Sequence, residues 1–122
     1  RRTRNSLVTT LYGIPNCDTI KRCKKWLDDH HIEYEFHDYK KQQCPEELII
    51  TFLTHFDYKD LINTRGTTWR KLPDAVKNSV TEKIAISLMQ EQPSMIKRPI
   101  IETSKTWLLG YNEQKMTEVF LK

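Results

Sequence analysis

The sequence predicts an α/β fold in which a mixed four-stranded sheet is divided by a helical insertion between its two halves. Three observations lead to this prediction. The chain opens with a strand–helix–strand pattern, continues with a long stretch of helical periodicity, and ends with two short strands and a helix. Because a βαβ unit makes its strands parallel and a hairpin makes them antiparallel, the sheet should contain both kinds of pairing.

The first strand and the helix that follows it have the clearest sequence signals. The β-branched, apolar run Leu7–Tyr12 suits a buried strand, which Gly13 and Pro15 should end. A helix is predicted from about Asp18 to His30. Its inward face carries apolar residues at helical spacing, namely Ile20, Cys23 and Leu27.

A second strand and then a helical block should follow. Apolar and polar side chains alternate from Ile32 to His37, which predicts a half-buried strand parallel to the first. Residues 45–92 are predicted to form the helical insertion, with Ser79 or Thr81 as the N-cap of a later helix. Asn63–Lys71 is rich in turn formers and should be an exposed loop. The inward faces of the inserted helices should carry Leu48, Ile49, Phe52, Leu53 and Phe56, and then Ile84, Leu88 and Met89.

The chain returns to strands at Pro99–Glu102 and Thr106–Leu109, and the short polar link between them predicts an antiparallel hairpin. Asn112 should cap a last helix, whose inward residues are Met116, Val119 and Phe120. The order βαβ, helical block and ββα matches the thioredoxin-like fold. In that fold a reactive cysteine follows the first strand, where the first helix begins, and Cys17 occupies this place.

Length and composition limit the class of protein. The 122 residues are predicted to form one domain, residues 1–122, with a basic tail at residues 1–6 that we expect to be disordered. Three cysteines, an odd number, argue against a disulfide framework and favour a reducing cytoplasm. Basic residues are interleaved with acidic ones, which argues against direct nucleic-acid binding. No stretch approaches the roughly 18 apolar residues of a membrane helix, so no membrane partner is expected.

The stretch GIPNCDTIKRC, Gly13–Cys23, carries the chemistry of the chain. The N–H groups and partial positive charge at a helix start stabilise a thiolate and lower its pKa. Cys17 is therefore predicted to be the reactive thiol, with Lys21 and Arg22 as nearby cations. Cys23 lies six residues farther on, about 9 Å along the helix axis, which is too far for a disulfide with Cys17. Cys23 should instead fill the core.

Other kinds of site fit the sequence less well. A dithiol redox site needs C-x-x-C, and Ile20 stands where the second cysteine would be. His30 and His31 are adjacent and point to different faces, so no metal site is expected. Cys44 precedes Pro45 at what resembles an N-cap position, where we expect it to be exposed and open to oxidation.

Two arginines complete the candidate site. Arg65 lies in the predicted exposed loop, and Arg98 precedes Pro99 at the start of a strand. A guanidinium suits planar or oxyanionic partners because it donates two parallel hydrogen bonds. With Cys17, these residues predict a single-cysteine site that forms a mixed disulfide or an oxyanion adduct. Such a site then needs an external thiol to release it.

Five motifs, LYGIPNCDTIKRCKKWL, FHDYKK, LINTRGTTWRKL, MIKRPII and LLGYNE, resemble the ArsC family of arsenate reductase-like proteins. Within the family they are most similar to the YffB-like branch, with Spx-like transcriptional regulators as relatives. The resemblance covers residues 7–121. It implies a thioredoxin-like fold, a catalytic Cys17, an anion-binding Arg98 and a cis-proline at Pro99. The residues that we further expect to contact substrate are Asn16, Thr19, Arg65 and Pro99.

For the YffB-like branch the resemblance implies a glutathione-dependent thiol reductase with no bound cofactor. Its co-substrate is expected to be glutathione or another small thiol, and glutaredoxin is a candidate partner. Two alternatives stay open, namely a Spx-like regulator that binds RNA polymerase and a glutaredoxin-coupled arsenate reductase. The Spx-like redox switch uses C-x-x-C, which this chain lacks.

The sequence departs from the glutaredoxin-coupled arsenate reductases at four positions. Two of the three arginines that the family places around its cysteine fall at Asn63 and near Gly110 in this chain, with Arg65 as a candidate substitute for the first. A histidine and a serine of those enzymes fall at Gly13 and Ile20. Arsenate reduction is therefore expected to be inefficient.

Overall fold

The computed structural model describes residues 9–122. The predicted disordered tail, residues 1–6, and the first two residues of the predicted first strand, Leu7 and Val8, lie outside the described residues. The described chain forms two compact units, of which the second is the continuous segment Tyr39–Lys97 and the first is the chain on either side of it. The single-domain prediction stays a prediction.

The described residues form strands and helices in the predicted order. In chain order these are β1 (Thr9–Gly13), α1 (Asp18–Asp29), β2 (Tyr34–Asp38), α2 (Tyr39–Gln42), α3 (Glu46–Leu53), α4 (Tyr58–Leu61), α5 (Thr67–Arg70), α6 (Asp74–Lys77), α7 (Glu82–Glu91), a 3-10 turn (Pro93–Met95), β3 (Ile100–Glu102), β4 (Trp107–Leu109) and α8 (Glu113–Phe120). Within residues 9–122, no helix has the length and apolar character needed to cross a bilayer.

The first unit is built on a mixed four-stranded sheet whose strand order is β2-β1-β3-β4. Strand β1 is parallel to β2 and antiparallel to β3, and β3 is antiparallel to β4. The parallel pair is joined by α1, as a βαβ unit requires, and the antiparallel pair is a hairpin. The predicted thioredoxin-like arrangement is therefore confirmed, with the helical segment between β2 and β3.

The core of the first unit consists of buried side chains from the central strands and from α1 and α8. Leu11 of β1 and Ile101 of β3 are fully buried, and because they are directly paired their side chains lie on the same face of the sheet. They belong to one cluster with the inward residues of the two helices, which are Ile20, Cys23, Trp26, Leu27 and Met116. The predicted cap of α8 is present, since the Asn112 side chain accepts a hydrogen bond from the Lys115 N–H at 3.0 Å.

The second unit is helical, and the structure corrects the loop that was predicted within it. Asn63–Lys71 was expected to be an exposed loop, yet it contains the short helix α5. The Gly66 N–H donates to the Asn63 carbonyl at 3.1 Å, and the Gly66 carbonyl accepts the Arg70 N–H at 3.1 Å. Turn formers thus begin a helical turn here, and Trp69 within it is half-buried.

Helix α7 begins where the sequence predicts, and one of its three predicted inward residues is exposed. Thr81 is its N-cap, because the Thr81 hydroxyl accepts a hydrogen bond from the Ile84 N–H at 3.3 Å. The prediction that Ile84 points inward is wrong, since its side chain is 38% exposed. Ala85 and Met89 are the fully buried residues of this helix. They lie four residues apart and share one face of the helix.

Candidate active site

Cys17 stands between the end of β1 and the first turn of α1. Gly13 is the last residue of β1, and Pro15 and Asn16 lie exposed in the turn that follows. The Cys17 backbone is extended, with φ −149° and ψ 125°, and its carbonyl oxygen accepts the Lys21 N–H at 3.0 Å. Cys17 is therefore the N-cap of α1. Its partly exposed thiol lies at the positive end of the helix, as the sequence predicts.

Partial burial raises the pKa of the Cys17 thiol, but groups that stabilise the thiolate outweigh this effect. In order of strength these are the backbone of Ile20, a hydrogen bond with the Arg98 side chain, the backbone of Thr19, and the positive charge of Arg98. The pKa of Cys17 therefore lies below its ordinary value of 9.0. The neutral thiol forms no capping hydrogen bond in the first turn of α1, so the surrounding donors act mainly on the charged form.

Arg98 lies just before β3, at the end of the sheet where β1 leads into Cys17. The Arg98–Pro99 peptide bond is cis, as the sequence resemblance implies, and Pro99 is buried. Tyr12 of β1 pairs with Ile100 of β3. The chain just after Tyr12 and the chain just before Ile100 therefore lie side by side. This pairing places the guanidinium of Arg98 within hydrogen-bonding reach of the Cys17 sulfur.

The positive charge at the site differs from the sequence-based prediction. Lys21 and Arg22, which were expected to act as nearby cations, are exposed on α1. The cation that lowers the pKa of Cys17 is Arg98, which is 81 residues away along the chain. The start of the helix and a single guanidinium thus account for the stabilised thiolate.

The remaining predicted site residues fall in both units. Asn16 is exposed and Thr19 is half-buried, one on each side of Cys17. Arg65 belongs to the second unit, where it is exposed in the turn before α5. Its backbone N–H donates to the Asn63 side-chain oxygen at 3.2 Å. The roles of Asn16, Thr19 and Arg65 in substrate binding stay predictions.

Two residues next to Cys17 are in contact in a way that the sequence analysis did not predict. Gly13 was interpreted as a strand end and Ile20 as core, yet the two are in contact. A Cβ atom on Gly13 would collide with the Ile20 Cδ1 atom, and the Ile20 side chain is fully buried. The position of Ile20, three residues after the N-cap, is a usable sequence signal, because the N–H at that position commonly faces the cap side chain.

The other two cysteines are buried thiols. Burial raises the pKa of Cys23 to about 12 and that of Cys44 also to about 12. Cys23 packs in the core of the first unit, as predicted. The prediction of an exposed Cys44 at an N-cap is wrong, because Cys44 is 3% exposed and Pro45 is the N-cap of α3. Within residues 9–122, no group of three or more His, Cys, Asp or Glu side chains is placed to hold a metal ion.

Gly110 occupies the position near which the arsenate reductases place an arginine, and its backbone favours glycine. Its φ is 86°, in the left-handed region where other residues are strained. The Gly110 N–H donates to the Pro99 carbonyl at 2.8 Å, so this conformation joins the end of β4 to the cis-proline. The backbone at Gly110 therefore disfavours an arginine, or any other residue with a side chain, at this position.

These features define what the site can do chemically. A thiolate that is stabilised by backbone N–H groups and a guanidinium can attack a disulfide sulfur or an oxyanion. The Cys23 thiol is buried and protonated near neutral pH, so it cannot serve as a resolving thiol without a rearrangement of the core. An adduct on Cys17 is therefore expected to need a thiol from outside the first unit.

Two relatives illustrate the range of similar proteins. An uncharacterized protein of Haemophilus influenzae is 43% identical over 111 residues, covering 91% of this chain and 97% of the relative. The global transcriptional regulator Spx of Streptococcus agalactiae is 29% identical over 109 residues, covering 88% of this chain and 79% of the relative. The sequence is thus similar to regulators as well as to a protein without a stated activity.

Two solved structures share the fold at substantial sequence identity. One, named YFFB protein, has a TM-score of 0.85 and 40% identity, covering 90% of this chain and 96% of that one. The other is an arsenate reductase (ArsC) related protein from Brucella melitensis, with a TM-score of 0.78, 42% identity and coverage of 96% and 97%. The family model that matches spans residues 12–119, which include Cys17, Arg98 and Pro99. The family resemblance seen in the sequence is confirmed, and the chain belongs to the ArsC family.

Proposed function

We propose that this chain is a single-cysteine thiol oxidoreductase of the cytoplasm that uses glutathione to reduce mixed disulfides. The observation that carries the proposal is the environment of Cys17. Its thiolate is favoured by the start of α1 and by Arg98, whereas burial keeps the thiols of Cys23 and Cys44 protonated. A site with one activated thiol, in a unit whose other cysteine is fully buried, suits a thiol that arrives from solution.

The reaction proceeds by two thiol–disulfide exchanges. In the first, the Cys17 thiolate attacks the glutathione sulfur of a mixed disulfide between glutathione and another thiol. The bond between Cys17 and glutathione forms as the original S–S bond breaks, and the other thiol leaves as a thiolate that takes a proton from water. In the second, a glutathione thiolate, its proton lost to water, attacks the sulfur that is bound to Cys17. Glutathione disulfide leaves and Cys17 is again a thiolate.

The exchange reduces the mixed disulfide, releases the target as a thiol, and oxidises glutathione to its disulfide. No bound cofactor takes part in it. Arg98 is expected to stabilise the Cys17 thiolate before attack and when it leaves, because a guanidinium donates directed hydrogen bonds to an anion. Glutathione also carries two carboxylates that a cation can attract. Glutaredoxin is the candidate protein partner, as an alternative acceptor of the glutathione that is bound to Cys17.

A turnover assay tests the proposal. The chain is mixed with glutathione and the mixed disulfide of glutathione and cysteine, and glutathione disulfide is measured through NADPH consumption by glutathione reductase. Turnover that is lost in Cys17→Ser and kept in Cys44→Ser is expected, since Cys44 is buried in the second unit. Equal activity in wild type and Cys17→Ser would contradict the proposal.

The alternative is regulation by binding to RNA polymerase. The observation that favours it is the 29% identity to the regulator Spx over 88% of this chain. The motif GYNE at Gly110–Glu113 is also reminiscent of those regulators. A pull-down with purified polymerase distinguishes the two candidates. Stable binding without thiol turnover would support the regulator, and turnover without binding would support the reductase.

A further inference from the structure

Gly13 lies directly against two side chains that belong to the Cys17 site. A Cβ atom added to Gly13 would collide with Ile20 Cδ1, and it would lie 3.1 Å from Ile20 Cγ1 and 3.9 Å from Arg98 Cδ. The distance to Arg98 is ordinary van der Waals contact. The distances to Ile20 leave no room for a side chain on residue 13 unless Ile20 moves.

The requirement for glycine at this position is steric. Gly13 pairs with Asp38 in the regular parallel pair of β1 and β2. Among the described glycines, positive φ is found at Gly110 and not at Gly13, so other residues could adopt the Gly13 backbone. They lack space, however, because Ile20 is fully buried, so its Cδ1 atom would have to move within the packed core to make room.

The contact matters because of what Ile20 does next to Cys17. Ile20 is the third residue of α1, and its backbone is a main stabiliser of the Cys17 thiolate. A side chain that is packed tightly on both sides holds its own backbone in place. The first turn of α1 is thus held against the end of β1 through one pair of residues.

We infer that Gly13 is a positioning residue for the chemistry of Cys17. Because Gly13 lacks a side chain, Ile20 packs closely against β1, and this contact holds the first turn of α1 beside Cys17. This inference deepens the proposed function and rests on it, since a positioned thiolate matters only if Cys17 reacts. It predicts that the effect of a larger residue at position 13 on Cys17 depends on the size of the side chain at position 20.

The test uses the pH dependence of Cys17 alkylation by iodoacetamide in the full chain, measured by mass spectrometry. In Gly13→Ala the midpoint is expected to rise toward that of an ordinary thiol, and the rate at pH 7 is expected to fall about threefold to tenfold. Ile20→Val removes the Cδ1 methyl that the new Cβ would meet. The double variant is therefore expected to regain a midpoint close to that of wild type.

A matched control separates positioning from general loss of packing. Ile101→Val removes the equivalent methyl group from an isoleucine of β3 that belongs to the same core cluster. This variant is expected to lower the thermal unfolding midpoint without moving the alkylation midpoint of Cys17. A folded Gly13→Ala with an unchanged alkylation midpoint would overturn the inference. If Gly13→Ala does not fold, the double variant decides, because an unfolded double variant or one with a raised midpoint would also overturn it.

The readout keeps this inference separate from the proposed function. Alkylation involves no glutathione, so it reports on the Cys17 thiolate alone. A wild-type chain that does not exchange with glutathione disulfides would count against the proposed reductase. The response of Cys17 to Gly13→Ala and its rescue by Ile20→Val would still decide whether Gly13 positions the thiol.

Discussion

At the scale of single residues, one cysteine differs from the other two in the charge state that its surroundings favour. The pKa of Cys17 lies below 9.0, whereas the pKa values of Cys23 and Cys44 are about 12. At pH 7 a thiol with a pKa of 9.0 is about a thousandfold more ionised than one with a pKa of 12. The less acidic thiolate is the stronger nucleophile, which offsets only part of this difference.

Iodoacetamide should therefore alkylate Cys17 at least about thirtyfold faster than Cys23 or Cys44 at pH 7 in the folded chain. As pH rises, the Cys17 rate should reach half of its plateau below pH 9.0, because the thiolate forms at lower pH than in an ordinary thiol. Peptide mapping at timed intervals measures the three rates. In denatured protein the rates should become similar. Equal rates in the folded chain would contradict the assignment of Cys17 as the reactive thiol.

The guanidinium of Arg98 supplies a second prediction at this scale. Arg98→Ala removes a hydrogen bond and a positive charge from the Cys17 thiolate, so the pKa of Cys17 should rise. The thiolate fraction at pH 7 should fall about tenfold, as the loss of one charge-assisted hydrogen bond implies. Thiolate absorbance during a pH titration measures the change. Arg22→Ala, at an exposed position on α1, is the matched control and should change the fraction less than twofold.

At the scale of elements, the sequence predicts most of the first unit because each element carries a local signal. The helix α1 follows from the spacing of Ile20, Cys23 and Leu27, which are all fully buried in the structure. The hairpin of β3 and β4 follows from two short apolar runs with a polar link. The short helix α5 was not predicted, because four residues carry no periodicity and its start at Gly66 looks like a loop.

The N-cap of the last helix, α8, can be tested directly. Asn112→Ala removes the hydrogen bond to the Lys115 N–H and should lower the free energy of unfolding by about 1 kcal/mol. Asn112→Ser keeps a capping oxygen and should cost less. Urea unfolding measures both variants, and the alkylation rate of Cys17 in the folded variants should stay unchanged. An Asn112→Ala variant as stable as wild type would show that this cap contributes nothing to α8.

At the scale of the whole molecule, the sequence predicts the fold and the identity of the thiol but misses how the site is held together. Cys17 is apparent from its place after the first strand. Its charged partner was assigned in part to Lys21 and Arg22, since neighbours along the helix are the only contacts that a sequence displays. The contact between Gly13 and Ile20 depends on how closely a strand and a helix approach each other. The spacing of residues along the chain does not reveal how close the strand and the helix come.

The expected preference for glutathione over arsenate rests on the cations that lie beside Cys17 in the first unit. A thiolate that attacks arsenate brings two anions together, and each preorganised donor in such a site is worth roughly 3–4 kcal/mol. Arg98 contributes one, whereas Gly110 has a backbone that disfavours a cationic side chain. Coupled arsenate reduction should therefore be at least about a hundredfold slower than in an enzyme that has the additional donor. Rapid arsenate turnover that requires both Cys17 and Arg98 would reverse this ranking.

The most direct test of the central claim is mass spectrometry of the chain after incubation with glutathione disulfide at pH 7. We predict one glutathione per chain, mapped to Cys17, removed by added glutathione and absent in Cys17→Ser. Cys23 and Cys44 should carry none, because burial keeps both thiols protonated. A chain that stays unmodified, or one that carries glutathione on Cys23 or Cys44 in place of Cys17, would contradict the account.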